Sequence, residues 1–206
     1  EFRRVLFRSS LIISNDMVVF SNSIGDITAV DEQTGLILWQ LPTQSSNIAN
    51  ETYNFKNSKL VSDGNSIYFS NNKNEFYSID AKTGTTNWTN EINSTITPII
   101  INNLIFTVSE EGYLYVIEKN EGNIIRISNL FTNYKEKIRK NLKPIGFAIG
   151  NLNLYLTNSN GDIIVADLNS GSILNKKKIG NNLISRPFIY NNSLFVVRNG
   201  SIVKYN

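Results

Sequence analysis

The chain has 206 residues, 41% of them hydrophobic and 11% aromatic, which is enough apolar material to bury a substantial core. Its formal charge is only +3 and 18% of its residues are charged, so the basic excess is too thin and too spread to mark a nucleic-acid-binding surface. Cysteine and histidine are both absent, which excludes thiolate nucleophiles, disulfides, zinc sites of the usual kinds and any Ser-His-Asp triad, and leaves the redox compartment open.

The first residues, EFRRVLFRSS, are basic and share none of the periodicity that follows. Glu1 to about Ser9 reads as a cloning or assembly scar, so the native N-terminus, with any export or lipid-attachment signal, is expected to lie outside this sequence. Short apolar runs rich in Ile, Val, Phe and Tyr then alternate with Asn, Gly and Asp, the pattern of strands and tight turns rather than helices.

These runs come in sets of four. Residues 10–41 hold LIIS, MVVFS and the hairpin GDITAVDEQTGLILW, from Gly25 to Trp39. Residues 56–93 hold KLVS, SIYFS and NEFYSIDAKTGTTNW, and residues 95–129 hold PIII, LIFTV and GYLYVIEKNEGNIIR. Residues 144–179 repeat the set with GFAI, LYLTN and GDIIVADLNSGSILN, and residues 184–206 begin a fifth copy whose third run, SIVKY, precedes Asn206. Each full copy places an acid four residues before a glycine: Asp31 and Gly35, Asp80 and Gly84, Glu118 and Gly122, Asp167 and Gly171. The carboxylate can accept the turn's backbone N–H groups while glycine supplies the positive φ that closes a bulged hairpin.

The glycines follow one another at 49, 38 and 49 residues. A lone four-stranded sheet with apolar residues on both faces must stack on neighbours, and four strands per 38–49 residues is the period of a β-propeller blade. The expected fold is all-β: four full blades and three strands of a fifth, an open part of a larger ring. Trp39 and Trp88, each four residues past the turn glycine, are expected to end the outer strand and lie against the next blade with the indole N–H paired. Arg126 and Asn175 occupy that place in blades three and four, whose junctions are expected to be less well pinned.

Two insertions lengthen the 49-residue spacings. Residues 41–55 are rich in Ser and Asn and read as a surface loop. In residues 130–143, Phe131, Tyr134, Ile138 and Leu142 recur at helical spacing, opposite Lys135, Lys137, Arg139, Lys140 and Lys143, before Pro144. This predicts a short amphipathic helix or loop whose apolar stripe covers the rim, with Phe131, Tyr134, Lys135, Lys137, Arg139 and Lys140 as candidates for contact with an acidic partner or an anionic membrane surface. Lys176, Lys177 and Lys178 read as a solvated strand edge. Asp162 and Asp167 could be taken for a carboxylate pair, but a structural role in the repeat hairpin is the simpler reading. Phosphate-cradling and nucleophile-elbow motifs are absent.

The unit G-x-x-x-x-x-D-x-x-T-G-x-x-x-W resembles the pyrroloquinoline-quinone (PQQ) type propeller repeat over nearly all of residues 10–206. Two families share it: the quinoprotein dehydrogenases, which bind PQQ and calcium over the central channel, and the BamB family of periplasmic lipoproteins, propellers of eight blades in the outer-membrane β-barrel assembly machinery. The run EEGYLYVIEKNEGNIIR and the final RPFIYNNSLFVVRNGSIVKYN resemble the second. That resemblance implies a non-catalytic scaffold without cofactor or metal, held at the outer membrane by a lipid anchor and contacting periplasmic domains of the assembly machinery. The alternatives are a fragment of a PQQ-dependent dehydrogenase, whose adjacent cysteine pair a cysteine-free chain cannot supply, and a propeller binding another partner.

Overall fold

The computed structural model describes residues 10–22, 25–43, 56–181 and 184–205. The segment Glu1–Ser9 and residues 44–55 of the first insertion lie outside them. The chain divides into two compact units, residues 1–98 and 99–206. Among the described residues there are five antiparallel sheets, four of four strands and one of three, each a simple meander.

The first unit holds two sheets. In one, β1 (Leu11–Ser14), β2 (Met17–Ser21), β3 (Ile27–Asp31) and β4 (Ile37–Leu41) lie in that order, and in the other β5 (Val61–Ser62), β6 (Ser66–Ser70), β7 (Phe76–Asp80) and β8 (Thr86–Asn90). The middle strands carry the core. Val19, Ile27, Ala29, Ile67, Phe69 and Ile79 are fully buried and pack with Met17, Trp39 and Ala81 into one cluster between the two sheets. The outer strands are exposed, with Ile37 62% and Leu38 49% accessible on β4, so burial on both faces belongs to the inner strands of each blade.

The second unit holds β9 (Ile99–Ile101), β10 (Leu104–Val108), β11 (Tyr113–Glu118) and β12 (Ile124–Asn129), then a one-turn helix α1 (Glu136–Arg139). The next sheet is β13 (Pro144–Gly150), β14 (Asn153–Asn158), β15 (Asp162–Asp167) and β16 (Ile173–Lys178), and the last is β17 (Phe188–Tyr190), β18 (Ser193–Arg198) and β19 (Ser201–Tyr205). Ile163, Ile179, Ile184 and Val196 join the fourth sheet to the fifth in a small apolar cluster. Arg198 Nη1 donates to the Ile179 carbonyl at 2.8 Å and Thr157 Oγ1 to the Ser185 carbonyl at 2.9 Å across the same junction.

Register is set by turn chemistry. The first hairpins of three blades turn on Asn15-Asp16, Asn151-Leu152 and Asn191-Asn192, all with φ between 45° and 61°, the left-handed pair that a two-residue hairpin needs. At the third hairpins, Gly35, Gly84, Gly122 and Gly171 have φ of 70° to 76°, and the register slips by one residue beside each: between Ala29 and Val30, Ser78 and Ile79, Val116 and Ile117, Val165 and Ala166. These are the bulges that the acid-to-glycine spacing predicts.

Candidate functional site

The four acidic repeat residues are occupied by their own turns. Asp31 Oδ1 accepts from Gln33 N at 3.1 Å, Thr34 N at 2.7 Å and Thr34 Oγ1 at 2.7 Å. Asp80 Oδ1 accepts from Lys82 N, Thr83 N and Thr83 Oγ1 at 2.8–3.0 Å. Glu118 accepts from Asn120 N and Glu121 N, and Asp167 from Ser170 N and Ser170 Oγ. In every case the following glycine N–H donates back to the acid's own carbonyl at 2.8–3.0 Å. These donors favour the ionised form, so all four carboxyls lie below their ordinary pKa, chiefly through the Thr34 hydroxyl for Asp31 and through the backbone N–H of Thr83, Asn120 and Ser170 for the others. Among the described residues no group of three or more acidic side chains gathers in a way that could hold a metal ion.

A second repeated corner was not singled out in the sequence. At the hairpin between second and third strands, Asn71 Oδ1 accepts from Lys73 N and Glu75 N while its Nδ2 donates to Glu75 Oε2 at 2.7 Å. Asn22 with Asp26 repeats the arrangement, Asn158 Oδ1 likewise accepts from Asn160 N and Asp162 N while its Nδ2 donates to Tyr134 Oη, and Ser109 Oγ accepts from Tyr113 N. The signal was an Asn or Ser four residues before the third strand's first residues, visible once the copies are aligned on this hairpin. Asp162 therefore belongs to this corner and Asp167 to the other, at opposite ends of β15, about 17 Å apart along the strand. They do not form a pair.

The Trp position joins blades through a backbone carbonyl. Trp39 Nε1 donates to Ala81 O, the residue after Asp80, at 3.2 Å, and its ring lies under Gly84 so closely that a Cβ there would sit 2.5 Å away. Trp39 and Trp88 stand in the middle of β4 and β8 rather than at their ends. Trp88 stacks on Phe76 of its own blade, centroids 5.8 Å apart, beside Tyr68, whose burial pushes its hydroxyl up to about 12. Arg126 overturns the expectation of a weaker junction between blades three and four. Its Nη2 donates to Leu168 O, the residue after Asp167, at 2.6 Å, its Nη1 donates to Asn169 O, and its Nε sits 3.2 Å from where a Gly171 Cβ would be. A guanidinium reaches the same carbonyl as an indole because both carry donors at the end of a flat, extended side chain. Asn175 is exposed on β16.

The segment between blades three and four departs from the predicted amphipathic helix. Its helix is one turn, and Ile138, placed on the apolar stripe by spacing, is 44% exposed. Phe131 and Tyr134, candidates for partner contact, are buried instead, as is Leu142. Phe131 covers Gly112, where a Cβ would run into its ring, and meets Tyr134 edge to face. Tyr134 Oη donates to the buried Asp162 Oδ2 at 2.7 Å and accepts from Asn158 Nδ2 at 2.8 Å; burial, then that carboxylate, raises its pKa. Lys143 exchanges backbone and side-chain bonds with Ser159, pulling the chain into β13. The helical period was thus a coincidence of a turn that buries two aromatics, and a helix this short gains little by continuing. Lys135, Lys137, Arg139 and Lys140 are exposed, with Lys140 bonded to Glu136 at 3.0 Å.

The family model for the outer membrane protein assembly factor BamB matches residues 3–128, more than half of the chain. The chain belongs to this family. The match includes EEGYLYVIEKNEGNIIR but not the final half-blade. No curated protein sequence matches the chain significantly. Among solved structures, BamB from Moraxella catarrhalis is similar over 94% of this chain and 67% of its own, with TM-score 0.60 and 16% identity. The β-propeller domain of Cps50 (Swd1) from Myceliophteria thermophila covers 91% of this chain and 61% of its own at TM-score 0.66 and 12% identity, and the computationally designed Ika8 protein 96% and 70% at 0.62 and 14%. The chain therefore spans 61–70% of the length of these relatives, and likeness at such identity concerns the fold: a propeller of PQQ-type blades.

Proposed function

We propose that this chain is a non-catalytic protein-binding scaffold that supports assembly and insertion of β-barrel proteins into the outer membrane, a reading supported by its family's description as outer membrane protein assembly factor BamB. The observation carrying this reading is the family match over residues 3–128, which spans the repeat hairpins at Asp31, Asp80 and Glu118. In those hairpins, and in that of Asp167, the acids satisfy turn N–H groups, which gives each a role in shape rather than in chemistry. Such a scaffold acts in the periplasm, attached to the outer membrane through a lipid anchor, and presents its inter-strand loops to periplasmic domains of the barrel-assembly machinery. Rigid blades with variable loops suit that role, because the β-meanders fix the loops in space at little entropic cost on binding.

The test is direct binding of the full chain to the purified periplasmic domains of the barrel-forming subunit from the same cell, by calorimetry. Saturable micromolar or tighter binding is expected; no heat of binding at high micromolar concentrations overturns the reading. Addition of PQQ and calcium with a dye acceptor and an alcohol is expected to give no turnover, and turnover would move the chain to the dehydrogenases.

A further inference from the structure

The small net charge of the chain hides a local concentration in the second unit. Lys135, Lys137, Arg139, Lys140 and Lys143 are exposed on the segment leading into β13, and Lys176 and Lys178 are exposed on one face of β16. Two contacts bring these stretches together. Lys176 Nζ donates to Asn133 O at 3.2 Å and lies 4.3 Å from the centroid of the Tyr134 ring, while Lys178 Nζ donates to Asn160 O, on the hairpin that Lys143 grips through Ser159. Seven of the chain's 20 Lys and Arg residues thus lie on two stretches that these contacts join, and the potentials of neighbouring exposed cations add. Glu136 and Glu110 bond Lys140 and Lys143, and Asp162 is buried against Tyr134.

On the first of these stretches Ile138 is 44% exposed between Lys137 and Arg139, in a one-turn helix flanked by the buried Phe131, Tyr134 and Leu142. We propose that this joined basic face binds an anionic phospholipid surface, Ile138 entering the interfacial region while the flanking cations meet headgroup phosphates. Six of the seven cations are lysines, hydrated point charges on flexible stems, which suit a diffuse layer of phosphates better than the bidentate geometry of protein carboxylates. An exposed aliphatic side chain with cations on either side of it in the chain is the local form of an interfacial anchor. The inference does not rest on the barrel-assembly reading.

Flotation of the full chain with phosphatidylcholine vesicles, with and without phosphatidylglycerol, tests it. Binding is expected only to the anionic vesicles and is expected to fall as salt rises. The triple variant K137Q/R139Q/K140Q is expected to lower partitioning at least tenfold, on the basis of about fivefold per cation. Ile138→Ser is expected to lower it a few-fold with charge unchanged, whereas K59Q/K73Q/K82Q, exposed lysines of the first unit, is expected to bind as the unaltered chain does. All variants lie on the surface, and circular dichroism checks their fold. No binding to anionic vesicles overturns the proposal, as does equal loss in the first-unit triple. Release from vesicles by polyglutamate, together with no effect of Ile138→Ser, also overturns it and assigns the face to an acidic protein.

Discussion

The indole N–H of Trp39 donates to the carbonyl oxygen of Ala81 at 3.2 Å, joining the outer strand of one blade to the turn of the next. Trp39 is 9% exposed, so its loss combines an unfilled volume with an unpaired carbonyl. Trp39→Ala is expected to lower stability by about 3–5 kcal/mol, and Trp39→Phe, which keeps most of the packing, by roughly 1 kcal/mol. Urea denaturation followed by circular dichroism measures both; no loss in Trp39→Phe contradicts the assigned hydrogen bond, and equal losses in the two variants contradict the packing role.

Arg126 serves the same junction in the second unit, and its two carbonyl contacts ask for a fork rather than a charge. Arg126→Ala is expected to cost about 1–3 kcal/mol, and Arg126→Lys to recover less than half of that because an ammonium cannot span Leu168 O and Asn169 O together. Full rescue by lysine in the same urea titrations contradicts this.

Gly35 and Gly84 occupy equivalent turns with φ of 70° and 73°, but the space above them differs. A Cβ on Gly35 meets nothing within 4 Å, whereas one on Gly84 meets the Trp39 ring at 2.5 Å. Gly35→Ala is expected to cost about 1–2 kcal/mol, the left-handed penalty alone, and Gly84→Ala at least 1 kcal/mol more through displacement of the indole. Midpoints of thermal or urea unfolding compare the two directly.

The depressed carboxyls of Asp31, Asp80, Glu118 and Asp167 fix the sign of the acid response. Their stabilisation is fully present above the unfolded values, near 3.8 for Asp and 4.5 for Glu, and is lost as pH falls through the lower folded values. Stability is therefore expected to hold from neutral pH to about pH 5 and to fall below about pH 4. Asp80→Asn keeps an acceptor oxygen for the Thr83 N–H yet cannot titrate, so its urea midpoint is expected to depend less on pH across that window. An unchanged acid slope contradicts the role of Asp80.

Leu152 has φ of 60° in the turn between β13 and β14, where its side chain is 64% exposed. A non-glycine residue pays for that conformation with little packing in return, so Leu152→Gly is expected to raise stability by about 0.5–1 kcal/mol. A destabilised variant in urea unfolding counts against this.

Much of the fold was legible because its determinants are local. The strands alternate with Asn, Gly and Asp at fixed intervals, and each acid-to-glycine turn closes by bonds within five residues, so Asp31–Gly35 and its three copies could be read from spacing alone. The Asn71–Glu75 corner was equally local but escaped notice, since Ser109 replaces Asn in one copy and the abundance of Asn elsewhere masks the pattern.

The sequence by itself determined strand order within each blade, turn types and bulge positions, because sterics and hydrogen bonds between near neighbours decide them. Only the tertiary structure decided what Arg126, Phe131, Tyr134 and Ile138 do. Whether an arginine bonds a carbonyl 42 residues away, or an aromatic two turns from a lysine faces solvent or core, depends on which distant backbone arrives beside it, and no periodicity in the chain encodes that arrival.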